Sequence, residues 1–106
     1  MGMRRNIALD YGRERKIYLY THWGAEGLED VLRDALLRGR SRWDDPSYLA
    51  RIIFSEMIQD EVLDTTGYGI APYVVDDEFR TIEVDLEKRT VAGVPFEQFV
   101  AITSPQ

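Results

Sequence analysis

Cysteine is missing from this chain of 106 residues. Disulfides and thiolate metal sites are therefore excluded, and with them the small secreted scaffold that cystine bridges hold together. Histidine occurs once, at His22, which argues against a zinc centre. Long apolar runs are lacking: nothing approaches the roughly 18–20 residues that span a bilayer. Met1-Gly2-Met3-Arg4-Arg5 is too short and too polar for a signal peptide. Positive charge is in deficit, with a net charge of −6, which argues against broad binding to DNA or RNA because phosphates need a basic face to neutralise them. No glycine-rich phosphate loop ends in Lys-Ser/Thr, and no dinucleotide fingerprint is present. The acidic run Asp76-Asp77-Glu78 lacks the glycine spacing of a calcium loop and reads as a solvated loop. Serine, histidine and acids all occur, but nothing places them as a triad. The expectation is a soluble, cytoplasmic protein without metal or cofactor, more a binder than an enzyme.

What is present suffices for a core. Hydrophobic residues make up 44% of the chain, ordinary for a globular protein, and the length fits one domain over residues 1–106 with 103–106 frayed. Positive charge is carried by 11 arginines and only 2 lysines. Arginine offers a planar fork for phosphates and carboxylates; a GC-rich genome gives the same bias.

Residues Asn6 to Asp10 and Lys16 to His22 read as two strands around a tight connection. In the second strand Ile17, Leu19, Thr21 and Trp23 point one way, and Lys16, Tyr18, Tyr20 and His22 the other. A helix follows from about Ala25 to Arg38, with Leu28, Val31, Leu32, Ala35 and Leu36 on one stripe and Gly39 as its stop. Asp45-Pro46 starts a second helix, a capping carboxylate before proline, which runs to about Asp60. Its stripe is Leu49, Ala50, Ile53, Phe54 and Met57, and Arg51 lies opposite. Tyr68 to Val75 reads as a strand whose Pro72 implies an edge or a bulge. Arg80 to Leu86 alternates cleanly and turns into a partner strand, Thr90 to Val94. Pro95 opens a short helix with Phe96, Phe99 and Val100. The order β-β-α-α-β-β-β-α predicts an α+β fold: a mostly antiparallel sheet with the two long helices on one face.

The junction Tyr20-Thr21-His22-Trp23-Gly24-Ala25-Glu26-Gly27 is the first place to look for a site. The first turn of a helix has unpartnered N–H groups that attract anions, and glycine lets a ligand come close. His22, Trp23, the amides near Gly24 and Arg51 form the expected pocket, with Tyr18 or Tyr20 stacking on the guest. Each has a structural alternative. His22 can bond backbone at a strand end, Trp23 can fill the helix–sheet gap, and Arg51 can pair on its own helix. The tyrosines equally suit an oligomer interface. Arg40, Arg42 and Trp43 form a second cluster that suits a stacked anion or a solvated linker.

The runs Ile17-Tyr18-Leu19-Tyr20-Thr21-His22-Trp23-Gly24, Asp45-Pro46-Ser47-Tyr48-Leu49-Ala50-Arg51-Ile52-Ile53-Phe54 and Thr66-Gly67-Tyr68-Gly69-Ile70 resemble a family of small proteins from phages of actinobacteria. The resemblance covers most of the chain. It implies an accessory protein acting in the bacterial cytoplasm, which binds and disables a host component or absorbs a host signal; it carries over no catalytic residues. Two function classes follow. One is a non-enzymatic homo-oligomer that holds a small anionic, nucleotide-like ligand to counter a host function. The other is an acidic interaction module that docks and inhibits a host protein. A hydrolase with His22 as general base ranks behind both.

Overall fold

Alternating side chains along the second strand decide which way the fold closes. The computed structural model describes residues 4–22, 25–60, 62–63, 67–75 and 80–102. Strands β1 (Arg5–Asp10) and β2 (Lys16–Thr21) form an antiparallel hairpin with Ile7 opposite Leu19 and Ala8 opposite Tyr18. Leu19 and Thr21 are sealed from solvent, while Tyr18 and Tyr20 are half-buried on the other face. Helices α1 (Leu28–Arg38) and α2 (Pro46–Ile58) cover the Leu19 face. Strand β3 (Tyr68–Ala71) lies outside β2, and β4 (Ile82–Asp85) lies beside β1. Strands β5 (Thr90–Val91) and β6 (Val94–Pro95) extend that side and lead into α3 (Phe96–Ala101). The sheet order is β3-β2-β1-β4-β5-β6. Every pairing is antiparallel except β1 with β4, so the sheet is mixed and the α+β reading stands.

The core follows from the two periodicities. Ile7, Leu9, Leu19, Ile82, Val84 and Val91 line one sheet face and meet Leu28, Leu32, Ala35 and Leu36 of α1 and Leu49, Ile53 and Met57 of α2. Phe96 and Phe99 of α3 close the same core. Apolar burial at ~25 cal/mol per Å² makes this layer the main stabilising term. A 3-10 turn, Ala25–Gly27, precedes α1, so the regular helix starts three residues later than its pattern suggests. Asp45 caps α2 as expected: its carboxylate accepts from the Tyr48 N–H at 3.4 Å, with Pro46 at the first helical position. Gly39 ends α1, but its φ of −91° is not left-handed. A Cβ there would sit 3.0 Å from the Ala35 carbonyl oxygen and 3.1 Å from Leu49 Cδ1, so close approach of α2 is what favours glycine.

Two strands also differ from the sequence pattern. The third strand stops at Ala71, because Pro72 cannot donate to the ladder and the chain turns away at the sheet edge. The stretch Thr90 to Val94 splits into β5 and β6 at Ala92 and Gly93, which have φ of 50° and 84°. Two successive positive φ values suit the tight hairpin turns that match strand twist.

The residues that follow β3 return over the sheet on the side away from the helices, where Val75 meets Asn6. Asn6, wholly buried, faces that side. Its Nδ2 donates to the Val75 carbonyl at 2.8 Å and its Oδ1 accepts from the Val75 N–H at 3.1 Å. A side-chain amide thus replaces a strand partner and clips the crossing segment to β1. Residues 103–106, expected to fray, and the Asp76-Asp77-Glu78 loop lie outside the described residues.

Candidate functional site

Strand register builds the helix-free face residue by residue. Tyr18 stands between Ala8 on β1 and Ala71 on β3, and Tyr20 between Asn6 and Gly69. Tyr18 thus has a small neighbour on each side and Tyr20 has one, Gly69, on which a Cβ would be 3.7 Å from Tyr20 Cδ1. The Tyr20 hydroxyl lies 2.6 Å from His22 Nδ1, with the rings edge-on at 6.0 Å between centroids. Arg4 Nε also donates to His22 Nδ1, at 3.4 Å. A guanidinium can only donate, so Nδ1 is an acceptor and the matching tautomer carries its proton on Nε2. The His22 amide donates to the Gly67 carbonyl at 2.7 Å, which continues the β2–β3 ladder past the strand end. His22 is therefore held by its neighbours on three counts.

The expected pocket is not assembled around it. Arg51 is exposed on α2, its guanidinium carbon 5.5 Å from the centre of the Tyr48 ring, and α2 packs on the opposite face of the sheet from Tyr18 and Tyr20. The structure brings together Tyr20 and His22, keeps Tyr18 on the same face and leaves Arg51 across the sheet. Trp23 and Gly24 lie outside the described residues. The cluster of Arg40, Arg42 and Trp43 is not the solvated linker of its alternative reading, because Trp43 packs against the core. Trp43 donates from Nε1 to the Leu36 carbonyl at 2.9 Å and meets Phe96 edge-on at 5.2 Å. Arg40 stacks over Trp43 at 4.6 Å and pairs with Glu97, and Arg42 stacks over Tyr48 at 5.1 Å.

A feature that no local pattern signals lies farther along the same face. Parallel pairing of β1 with β4 sets Asp10 beside Asp85 and Ala8 beside Glu83. Asp10, Glu83 and Asp85 line a hollow of about 370 Å³, with Lys88, Thr90 and Gly93 completing its wall. Two of the carboxylates also shape turns: Asp10 Oδ1 accepts from the Gly12 N–H at 2.8 Å, and Asp85 Oδ1 from the Glu87 and Lys88 amides at 3.0 and 2.9 Å. Glu83 lies 3.4 Å from Lys16 Nζ, and that carboxylate raises the lysine above its ordinary pKa. The alternation of Thr81, Glu83 and Asp85 was legible; that Asp10 would join them was not.

Chemically this face offers rings for stacking and carboxylates for a cation. Among the described residues no group of three His, Asp or Glu is placed to hold a metal ion, and no helix is long and apolar enough to cross a membrane. Comparison with protein-family models, with curated proteins and with solved structures finds no match to this chain.

Proposed function

We propose that this chain is a non-enzymatic interaction module whose helix-free sheet face docks a basic surface of a protein partner. The observation that carries this reading is the joining of an aromatic row and an acidic hollow on one face. Tyr18 and Tyr20 supply ring area at little entropic cost, and tyrosine is a favoured interface residue. The hollow of Asp10, Glu83 and Asp85 suits a lysine or arginine side chain. Tyr73 and Val74, 64% and 46% exposed on the segment that follows β3, add apolar contact area. A net charge of −6 speeds encounter with a basic partner and makes the association salt-sensitive. The phage-like residue runs make a host protein the partner class, and inhibition of that protein the outcome.

A nucleotide-like anion held by His22 is less well supported. Such a guest could accept only the Nε2 proton of His22, because Nδ1 is an acceptor held by the Tyr20 hydroxyl and Arg4, and would gain nothing from Arg51.

Affinity capture from an actinobacterial lysate, at low and at high salt, tests the proposal. One stoichiometric protein should be retained at low salt, be shed at high salt, and be lost by both Tyr18→Ala and Glu83→Lys while Arg51→Ala keeps it. Retention of the same partner by Tyr18→Ala and Glu83→Lys would overturn the assignment of this face.

A further inference from the structure

A second hollow, of about 320 Å³, opens on the helix side of the sheet, between α3, the β5–β6 turn and the start of β4. Its floor is Ile82, Val91 and Phe99, all buried in the core and apolar. Its lip is Val94 and Ile102, the latter 48% exposed. Volumes of roughly 300–1,000 Å³ with apolar walls and few polar groups are typical of small-molecule sites, and this hollow sits at the small end.

Charge at the mouth is sorted in an informative way. Arg5 reaches Glu29 with both terminal nitrogens at 3.0 Å and donates from Nε to the Arg80 carbonyl at 2.6 Å. That fork is satisfied, and with Glu29 it forms a neutral wall. Arg80 lines the same hollow and is exposed, and its guanidinium has no hydrogen bond, ion pair or ring contact among the described residues. Arg80, whose guanidinium has no partner among the described residues, therefore lines an apolar trough. The arrangement matches a monoanion with an apolar body: head on the Arg80 fork, body on Val91 and Phe99. A polyanion such as a nucleoside triphosphate matches it poorly, because Glu29 lies at the same mouth.

We infer that this trough binds a small carboxylate with an aryl or medium-chain alkyl body. The inference stands apart from the docking reading, which concerns the other face of the sheet.

The test uses the full chain and three probes, octanoate, phenylacetate and naphthoate, with octanamide and phenylacetamide as uncharged controls. Binding is followed by amide NMR shifts. At least one carboxylate should saturate, with shifts clustered at Ile82, Ala92 and Ile102. Its neutral amide should bind about two- to fivefold more weakly, the scale of one partly exposed charge pair. Arg80→Gln should remove that preference for the charged form. Ile102→Glu, a change at an exposed position, should abolish binding by placing a like charge on the lip; thermal melts check that both variants fold. Absence of saturable shifts with all three carboxylates would overturn the inference. So would shifts that cluster elsewhere, or a charge preference that survives Arg80→Gln.

Discussion

Replacing Asn6 should release the segment that crosses the helix-free face, and the cost can be worked from the contacts. Asn6 is wholly buried and exchanges two hydrogen bonds with the backbone of Val75, at 2.8 and 3.1 Å. Each such bond contributes about 1 kcal/mol net, and a donor or acceptor left dry costs more. Val75 is only half-buried, so water can replace part of what is lost. Asn6→Ala should therefore destabilise by about 2 kcal/mol, or about 10 °C in Tm for a domain of this size. Asn6→Asp should do worse, by about 3 kcal/mol or more, since it keeps the acceptor for the Val75 N–H but sets a buried carboxylate against the Val75 carbonyl. That carboxyl is held neutral more easily in the folded state, so its folded pKa is raised. The deficit relative to the natural chain should thus narrow as pH falls and the regained O–H can donate again. Urea unfolding followed by fluorescence gives the free energies, and hydrogen exchange at Val75 reports the clip itself. A loss under about 0.5 kcal/mol for Asn6→Ala, with Val75 exchange unchanged, would refute the reasoning.

Four further outcomes follow from other contacts. Trp43→Phe keeps a ring against Phe96 but loses the donor to the Leu36 carbonyl, and should cost about 1 kcal/mol in a denaturant melt. Ala92 has φ of 50°, a region that asparagine tolerates better, so Ala92→Asn should raise stability by about 0.5–1 kcal/mol. Burial raises the Tyr11 phenol above its ordinary value of 10.0, so the unfolded chain ionises first. Stability should fall as pH rises past that value, and Tyr11→Phe should flatten the alkaline limb of a stability–pH curve. Arg51→Ala removes only an exposed stacking contact with Tyr48 and should leave stability within about 0.5 kcal/mol.

Much of the fold is legible because it is local. The α1 stripe, the Asp45-Pro46 start of α2 and the alternation of β2 and β4 each follow from a short-range rule. Pro72 marked the edge strand correctly, since β3 closes one side of the sheet. What stayed hidden is non-local. Parallel pairing of β1 with β4 leaves no mark in either segment, so neither the acidic hollow nor the crossing over Asn6 was readable. The trough mixes β1, α1, β4, β5, β6 and α3, and Arg80, a cation with no partner among the described residues, looks like any strand-end arginine. Trp43 read as part of a linker because its partners, Leu36 and Phe96, belong to two separate helices.

The separation of Arg51 from the tyrosines, by contrast, was implied by a pattern already in view. A strand has two faces, and a one-residue step changes face. Ile17, Leu19 and Thr21 are the residues of β2 that face the core; Tyr18 and Tyr20 alternate with them. A helix whose own stripe is Leu49, Ile53 and Met57 must seat that stripe on the Leu19 side, and Arg51 projects from the far surface of that helix. Nothing on α2 can then meet the tyrosine row without passing through the sheet. Recognition on the helix-free face is confined to strand residues, hairpin turns and the crossing segment. Among these the hollow draws its carboxylates from Asp10, Glu83 and Asp85; among the described residues its wall holds one cation, Lys88, and Lys16 pairs with Glu83 beside it. The same alternation that exposes the rings therefore favours a positively charged guest there, and leaves anion recognition to the helix side, where Arg80 stands.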